Sequence, residues 1–216
     1  MTAAIGLGAG GHAKVVLEIL KRDPRLHIRG LLAASSPEVG SPVLGIPVIG
    51  NDALLPSLIA EGVTHAFIGV GSTGSTALRR ELYERATGLG LTLLSAVHPS
   101  AIISPSAEIG AGATIMAGVI VNASARIGAN VILNTGAIVE HDVEVGDHCH
   151  VAPGAIVGGG ARLGAGSHVG IGAVVRQGQR IGSNVVIGAG AVVVSDIADG
   201  LTVMGVPARA RVDSST

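Results

Sequence analysis

The stretch IGAGATIMAGVIVNASARIGANVILNTGAIVEHDVEV, residues 109–145, decides how most of this chain folds. Counting in sixes from Ile109 reaches Ile115, Val121, Ile127, Leu133, Val139 and Val145. The phase extends back to Val97 and on to Val193, with Ile, Leu or Val at every step and no insertion to reset it. Four residues after each anchor lies a small or β-branched residue, such as Ala113, Val119, Ala125, Val131, Ala137 or Cys149; Gln179 is the departure. Glycine recurs one and three residues after the anchor, as in Ile109-Gly110-Ala111-Gly112. A large apolar residue, a small one and a turn-permitting glycine describe one short strand and one corner. Three such units close a triangular coil, and stacked coils pair their backbones along the axis. An α-helix is excluded, because a six-residue step walks around its surface.

At 216 residues the chain has room for one or two domains. A formal net charge of −1 gives no sign of a nucleic-acid or anionic-membrane partner. The mean hydropathy of +0.60 belongs to the coil interior. Gly, Asn, Ser and charges interrupt every apolar stretch before it reaches the ~20 residues a membrane span needs. No charged leader with a small-residue cleavage site opens the sequence, so a cytoplasmic protein is expected. The single Cys149 falls in the small-residue register and reads as packing.

Before Val97 the six-residue phase is absent. Ala3 to Gly8 reads as a strand, His12 to Arg22 as an amphipathic helix, and Ile28 to Ala33 as a second strand. A helix over 52–61, a strand over 64–70, a helix over 75–87 and a strand over 91–97 follow. That alternation describes a parallel sheet with crossover helices. The glycine-rich turn Gly8-Ala9-Gly10-Gly11-His12 joins the first strand to the first helix. Such a turn either serves the chain reversal alone or offers backbone N–H groups and a helix N-terminus to a phosphate. Ala13 replaces the last glycine of the dinucleotide fingerprint, and the second strand ends in Ala33-Ala34-Ser35-Ser36 with no acidic residue to hold a ribose. A second loop, Gly69-Val70-Gly71-Ser72-Thr73-Gly74, supplies backbone and hydroxyl donors, with Arg79 and Arg80 nearby. Gly10, Gly11, His12, Ala33, Ser35, Gly71 and Ser72 are the candidate substrate contacts of this part.

In the coil, polar residues that break the pattern carry the chemical information. They are densest from Asn134-Thr135 through Glu140-His141-Asp142 to Asp147-His148-Cys149-His150. His141 is the candidate general base, since imidazole titrates near neutrality, and Asp142 is placed to hold its tautomer. A solvated polar corner is the plainer account of the same residues. His150 and His168 are one coil apart and stack, either lining a groove or standing as solvated corners, with the groove favoured for His150. His148 and His98 are expected to face solvent.

Gly8-Ala9-Gly10-Gly11-His12-Ala13-Lys14-Val15-Val16, Asn134-Thr135, Val139-Glu140-His141-Asp142 and Met204-Gly205-Val206-Pro207-Ala208 occur in this order. With these motifs the chain resembles, over nearly its whole length, the bacterial hexapeptide-repeat sugar acetyltransferases. That family includes sialic-acid O-acetyltransferases and nucleotide-4-amino-sugar N-acetyltransferases of the bacillosamine and perosamine types. The resemblance implies a left-handed parallel β-helix preceded by a small Rossmann-like α/β domain, with boundaries at 1–96, 97–200 and a tail over 201–216. It implies a homotrimer with acetyl-CoA between adjacent β-helices and the sugar's nucleotide on the N-terminal domain. It makes His141 the base supported by Asp142, and Asn134 a substrate-side contact. His150 then lies near the acetyl group, Gly159 donates a backbone N–H to the thioester carbonyl, and Ile171 and Ala189 lie along the cofactor. Many members carry acidic residues where this chain has Ala33-Ala34, and that departure favours GDP-perosamine over a UDP-linked amino sugar.

Three other readings compete. Sialic-acid O-acetylation differs only in the acceptor atom. A zinc enzyme of the γ-carbonic-anhydrase type needs histidines two coils apart, but two coils before His141, His148, His150 and His168 stand Pro105, Gly112, Thr114 and Ile132. A non-catalytic β-helix predicts a face of repeated Thr or charge, and no such ladder is read here.

Overall fold

The structure is a computed structural model that describes residues 1–34 and 40–211. The chain forms two compact units, one of residues 1–71 and 78–96, the other of Ser72–Ala77 together with the chain from Val97 onward.

In the first unit, β1 (Thr2–Leu7), α1 (Gly11–Leu20), β2 (Leu26–Leu32), β3 (Pro42–Val43), β4 (Ile46–Gly50), α2 (Leu55–Ala60), β5 (His65–Ile68), α3 (Ala77–Gly88) and β6 (Thr92–Leu93) follow one another. The sheet order is β3-β4-β2-β1-β5-β6. β4, β2, β1, β5 and β6 run parallel, and β3 closes the edge as an antiparallel hairpin. The hairpin has no counterpart in the sequence reading, because Pro42 and Pro47 suppress the strand signal and confine the segment to an edge.

As the central parallel strand, β1 is apolar on both faces. Ile5 and Leu7 pack with Leu55, Leu58, Leu82 and Ala86 from α2 and α3. Leu31 and Phe67 pack on the other face beneath Val16, Leu17 and Leu20 of α1. Gly6 is required by this packing: a Cβ there would collide with Leu31 and lie 2.5 Å from Phe67 Cζ.

The second unit is a left-handed parallel β-helix. Each strand from Ile102–Ile103 to Val192–Val193 is two residues long, and the second residue is the six-residue anchor, buried in the lumen from Ile115 to Val193. Strands pair in parallel with the strand one coil on, as in Thr114↔Ile132, Ile138↔Ile156 and Arg126↔Glu144. At every turn from 112 to 190, the residue three after the anchor has positive φ. Glycine fills most of these positions, and Ser124, Asn130, Asp142, His148 and Asn184 fill the rest. Cys149 is fully buried, and its thiol donates to the Gly164 carbonyl at 3.1 Å.

The first residue of each strand points outward, and the three faces differ sharply. The second sheet presents Ile102, Ile120, Ile138, Ile156, Val174 and Val192. The first presents Thr114, Ile132, His150, His168 and Val186. The third presents Glu108, Arg126, Glu144, Arg162 and Arg180, with Glu144 3.5 Å from both Arg126 and Arg162. This charged ladder corrects the expectation that none exists; its members are 18 residues apart, so they do not read as a pattern along the chain.

The coil also outlasts the sequence phase. Thr202–Met204 pairs in parallel with Val186–Ile187, and Arg209–Ala210 returns antiparallel to it. The segment expected as a tail from 201 is therefore structured up to Ala210. Val203 lies over Ile187, 16 positions on instead of 18, and that two-residue contraction hides it from the six-residue count. Among the described residues no helix is long and apolar enough to cross a membrane, and no group of three His, Cys, Asp or Glu is placed to hold a metal ion.

Candidate active site

The corner that leads from the second sheet to the third carries His141 and Asp142. The His141 Nδ1 to Asp142 Oδ2 distance is 2.8 Å, and both side chains are nearly two-thirds exposed. The hydrogen bond to Asp142 holds the His141 pKa above its usual value, helped by the charges of Asp142 and Glu140 and opposed by slight desolvation. This pairing leaves Nε2 as the atom available to take a proton from a substrate. Asp142 has φ +59°, at a turn position usually filled by glycine. Left-handed backbone at a non-glycine residue costs about 1 kcal/mol, least for Asn and Asp. The corner tolerates that strain and keeps the carboxylate beside the ring.

Gly159 is stacked one coil beyond His141, and the Gly160 N–H donates to the His141 carbonyl at 2.9 Å. The imidazole lies directly over Gly159: a Cβ built there would be 2.7 Å from Nε2 and 2.8 Å from Cε1. The Gly159 carbonyl accepts from Gly178 N–H, while its own N–H donates to no described acceptor. An imidazole and an N–H with no described acceptor, on adjacent coils, are groups of the kind an acyl transfer can use.

A second cluster lies on the first sheet. His150 is buried, and its ring is 4.9 Å from that of His168 in an edge-to-face contact. Asn134 Nδ2 is 3.1 Å from His150 Nε2. On the opposite side His150 Nδ1 lies 2.8 Å from Ser72 Oγ and 3.0 Å from the Ser72 carbonyl. The sequence reading placed Ser72 with the glycine-rich loop of the first unit, but the structure places it with His150. Further along the same segment, the buried Thr76 hydroxyl donates to the Gly166 carbonyl at 3.0 Å. Nothing in the local sequence pairs Ser72 with a residue 78 positions away. His148 is half-buried beside Asn130, with Asn130 Nδ2 2.9 Å from its Nδ1, and His98 is half-buried as well.

Ile171 and Ala189 are exposed and stack at the corner between the first and second sheets, with Gly190 N–H donating to the Ile171 carbonyl at 2.8 Å. They thus occupy a different corner from His141 and Gly159, and the apolar second sheet runs between the two corners.

In the first unit, Gly10 is the N-cap of α1 and Gly11 its first residue. Both are exposed, and a Cβ at either would meet nothing within 4 Å. Packing therefore does not require these glycines, and they leave the backbone at the helix N-terminus open to an approaching group. His12 follows on α1, and a Cβ on Gly71 would touch its Cβ at 3.4 Å. Burial, with the charge of Arg79, lowers the His12 pKa to about 4, and Nε2 is buried without a hydrogen-bond partner among the described residues. Ala33 is buried in the core beneath α1, and its N–H donates to the Gly50 carbonyl at 2.8 Å, so its side chain and its N–H are both engaged within the fold. Ser35 lies outside the described residues.

Residues 5–86 match the PglD N-terminal domain family, and residues 124–159 match the bacterial transferase hexapeptide (six repeats) family. No curated protein sequence gives a significant match. Among solved structures, the H141A mutant of GDP-perosamine N-acetyltransferase from Caulobacter crescentus, in complex with CoA and GDP-perosamine, is 38% identical. The match covers 99% of this chain and 98% of that one, with a TM-score of 0.92. The acetyltransferase domain of PglB from Neisseria gonorrhoeae FA1090, in complex with acetyl coenzyme A, is 41% identical over 97% of this chain and 98% of that one, with a TM-score of 0.87. WeeI from Acinetobacter baumannii AYE is 26% identical over 97% of this chain and 100% of that one, with a TM-score of 0.85. Full-length likeness at this level of identity, carried by the same two building blocks, shows that the chain belongs to the hexapeptide-repeat acetyltransferase family with a PglD-type N-terminal domain.

Proposed function

We propose that this protein is an acetyl-CoA-dependent N-acetyltransferase acting on the C4 amine of a nucleotide-linked 4-amino-4,6-dideoxy sugar, with GDP-perosamine as the first candidate and a UDP-linked sugar as the second. The observation that carries this reading is the His141–Asp142 pair lying over Gly159. Its support is a relative, matched over 99% of this chain, that was solved as H141A and H141N mutants with CoA and GDP-perosamine.

The chemistry follows from the geometry. The neutral sugar amine attacks the thioester carbonyl, and His141 Nε2 takes the proton it loses. The Gly159 N–H donates to the oxyanion of the tetrahedral intermediate, a type of contact worth roughly 3 kcal/mol where it has been removed. The C–S bond then breaks, and the CoA sulfur leaves with the proton carried by His141. Asp142 keeps the ring oriented and offsets the imidazolium charge. Asn134 serves the acceptor side, His150 borders the acetyl group, and Ile171 and Ala189 line the cofactor. Gly10, Gly11, His12 and Gly71 serve the nucleotide.

The reading includes a homotrimer, and the second sheet supplies its argument. Ile102 is 67% exposed and Ile156 36% on a face whose outward residues are all Ile or Val. A contiguous apolar face of this kind marks an association surface. Packing that face against a neighbouring copy sets the corners of Ile171 and His141 at the two margins of the interface, which suits a cofactor groove between subunits. The enzyme is placed in the cytoplasm, where acetyl-CoA and nucleotide sugars meet. The test is thiol release from acetyl-CoA with GDP-perosamine, UDP-linked 4-amino sugars and CMP-sialic acid as acceptors. GDP-perosamine is expected to turn over fastest, and His141→Ala to lose nearly all turnover with its oligomeric mass unchanged. Near-normal activity in that variant sinks the base assignment.

A further inference from the structure

Charges far apart in the sequence meet on the third sheet of the coil. Glu108, Arg126, Glu144, Arg162 and Arg180 stack rung on rung through the pairings Glu108↔Arg126, Arg126↔Glu144, Glu144↔Arg162 and Arg162↔Arg180. Their order of sign along the coil is minus, plus, minus, plus, plus. Glu144 lies 3.5 Å from the guanidinium groups of both Arg126 and Arg162, and the side chains of these two arginines stay 66% and 60% exposed. Internal pairing therefore fixes the order of the ladder and leaves its outer surface open. A strip of glycines runs beside it: a Cβ on Gly110 or Gly164 would stand 2.5 Å from the backbone of the next coil. That strip carries no side chains to hold a partner away from the charges.

The spacing selects the partner. Rungs of paired strands lie about 4.8 Å apart. Side chains on one face of an extended peptide recur about every 6.7 Å, so over the three steps from Glu108 to Arg162 such a peptide overshoots by about 6 Å. An α-helix gains about 5.4 Å per turn, and its period of about 3.6 residues carries successive charges off a straight row. A second coil of the same kind keeps step with the ladder at every rung. Turned antiparallel about a two-fold axis, a copy of this sheet can oppose Glu108 to Arg162 and Arg126 to Glu144, and the symmetry repeats both pairs. All of these opposed pairs are of unlike sign. Sliding the copy by one rung puts Arg126 on its own counterpart in one direction and Glu144 on its own counterpart in the other.

We propose that the third sheet is a docking surface for a second copy of this chain, paired antiparallel in the register that sets Glu108 against Arg162 and Arg126 against Glu144. Arg180 overhangs the contact beside Asp196, whose Oδ1 accepts the Arg180 N–H at 2.8 Å. The paired rungs span about 14 Å, and a strip that short buries far less than the roughly 800 Å² per partner of a durable interface. Exposed ion pairs also contribute little each. The association is accordingly weak, reversible and governed by salt. It is independent of the acetyltransferase reading and uses a different face from the apolar second sheet.

The test is sedimentation of the full chain from micromolar to near-millimolar concentration. It is run at about 0.01 M and about 1 M salt, where the Debye length is about 30 Å and about 3 Å. The weight-average mass is expected to rise by half or more with concentration at low salt and to stay flat at high salt. Glu144→Arg and Arg126→Glu each bring like charges together in half of the opposed pairs, so each variant alone loses the rise. Mixed, the two variants oppose unlike charges at every paired position and recover it. Melting temperatures serve as the folding control, and Glu108→Arg with Arg162→Glu form a second such couple if either variant does not fold. A wild-type mass that stays flat at low salt overturns the proposal, as does a rise that persists at high salt. So does a single variant that associates like wild type, or a mixture that fails to associate. Contact through the apolar second sheet is not weakened by salt, so a salt-resistant mass belongs to that face instead.

Discussion

The imidazole of His141 lies so close over Gly159 that a single methyl group on that glycine would stand 2.7 Å from Nε2. The absent side chain and the imidazole therefore occupy one space. Gly159→Ala is expected to push the ring off its position, and displacing a reacting group by about 1 Å costs on the order of a hundredfold in rate. The φ of Gly159 lies outside the left-handed range, so the substitution leaves the corner's fold intact. Steady-state kinetics beside a thermal melt check this: kcat falls steeply while the melting temperature moves by a few degrees at most.

Removing the carboxylate next to the base has a signed consequence for pH dependence. Asp142 raises the His141 pKa, and a general base acts only when deprotonated, so with His141 in the proposed role wild-type kcat/KM is expected to fall as pH drops through that raised value. Asp142→Asn abolishes the charge and weakens the hydrogen bond. The acidic limb of the profile then moves to lower pH while the plateau drops, because the ring loses its orienting partner. A limb that stays in place or moves up contradicts the assigned pairing.

His12 links stability to pH in the first unit. Its pKa of about 4 in the folded chain lies below the 6.5 of a free imidazole, so the unfolded chain binds the extra proton between those values. The corresponding stability is present in full above pH 6.5 and is lost as pH falls toward 4, reaching about 3 kcal/mol. His12→Gln does not titrate. Urea unfolding at pH 7 and at pH 4.5 is expected to show a larger loss in wild type than in the variant.

On the second sheet, Ile156→Glu and Ile138→Glu place a carboxylate on the apolar face without touching the lumen. Light scattering on the purified variants is expected to give the mass of a monomer, with acetyl transfer reduced more than about tenfold. A mass unchanged from wild type moves the subunit interface to another face.

Much of the coil was legible because a lumen residue is set by a local rule: Ile115, Val139 and Val157 are buried where six-residue counting puts them. His141 and Asp142 stood out for the complementary reason, as polar residues the rule does not need, while Gly159 came only from the family resemblance; the structure brings the imidazole over it. The hydrogen bond of Ser72 to His150 was not foreseen, because a contact across 78 positions leaves no trace in periodicity. Ala33 was read as a ligand contact from its place at a strand end, yet burial beneath α1 is what fixes that residue. The last rung at Val203 escaped notice because the coil shortens there.

The in-register stacking of the coils has a consequence for how the sequence can change. Outward positions of one face recur every third rung, so the chain interleaves three separate messages: one oily, one mixed and one saline. Each can be rewritten without altering the other two, since the lumen shields every wall from its neighbours. Such a prism can trade the charges of its saline wall for others while the oily wall and the corner with His141 stay as they are.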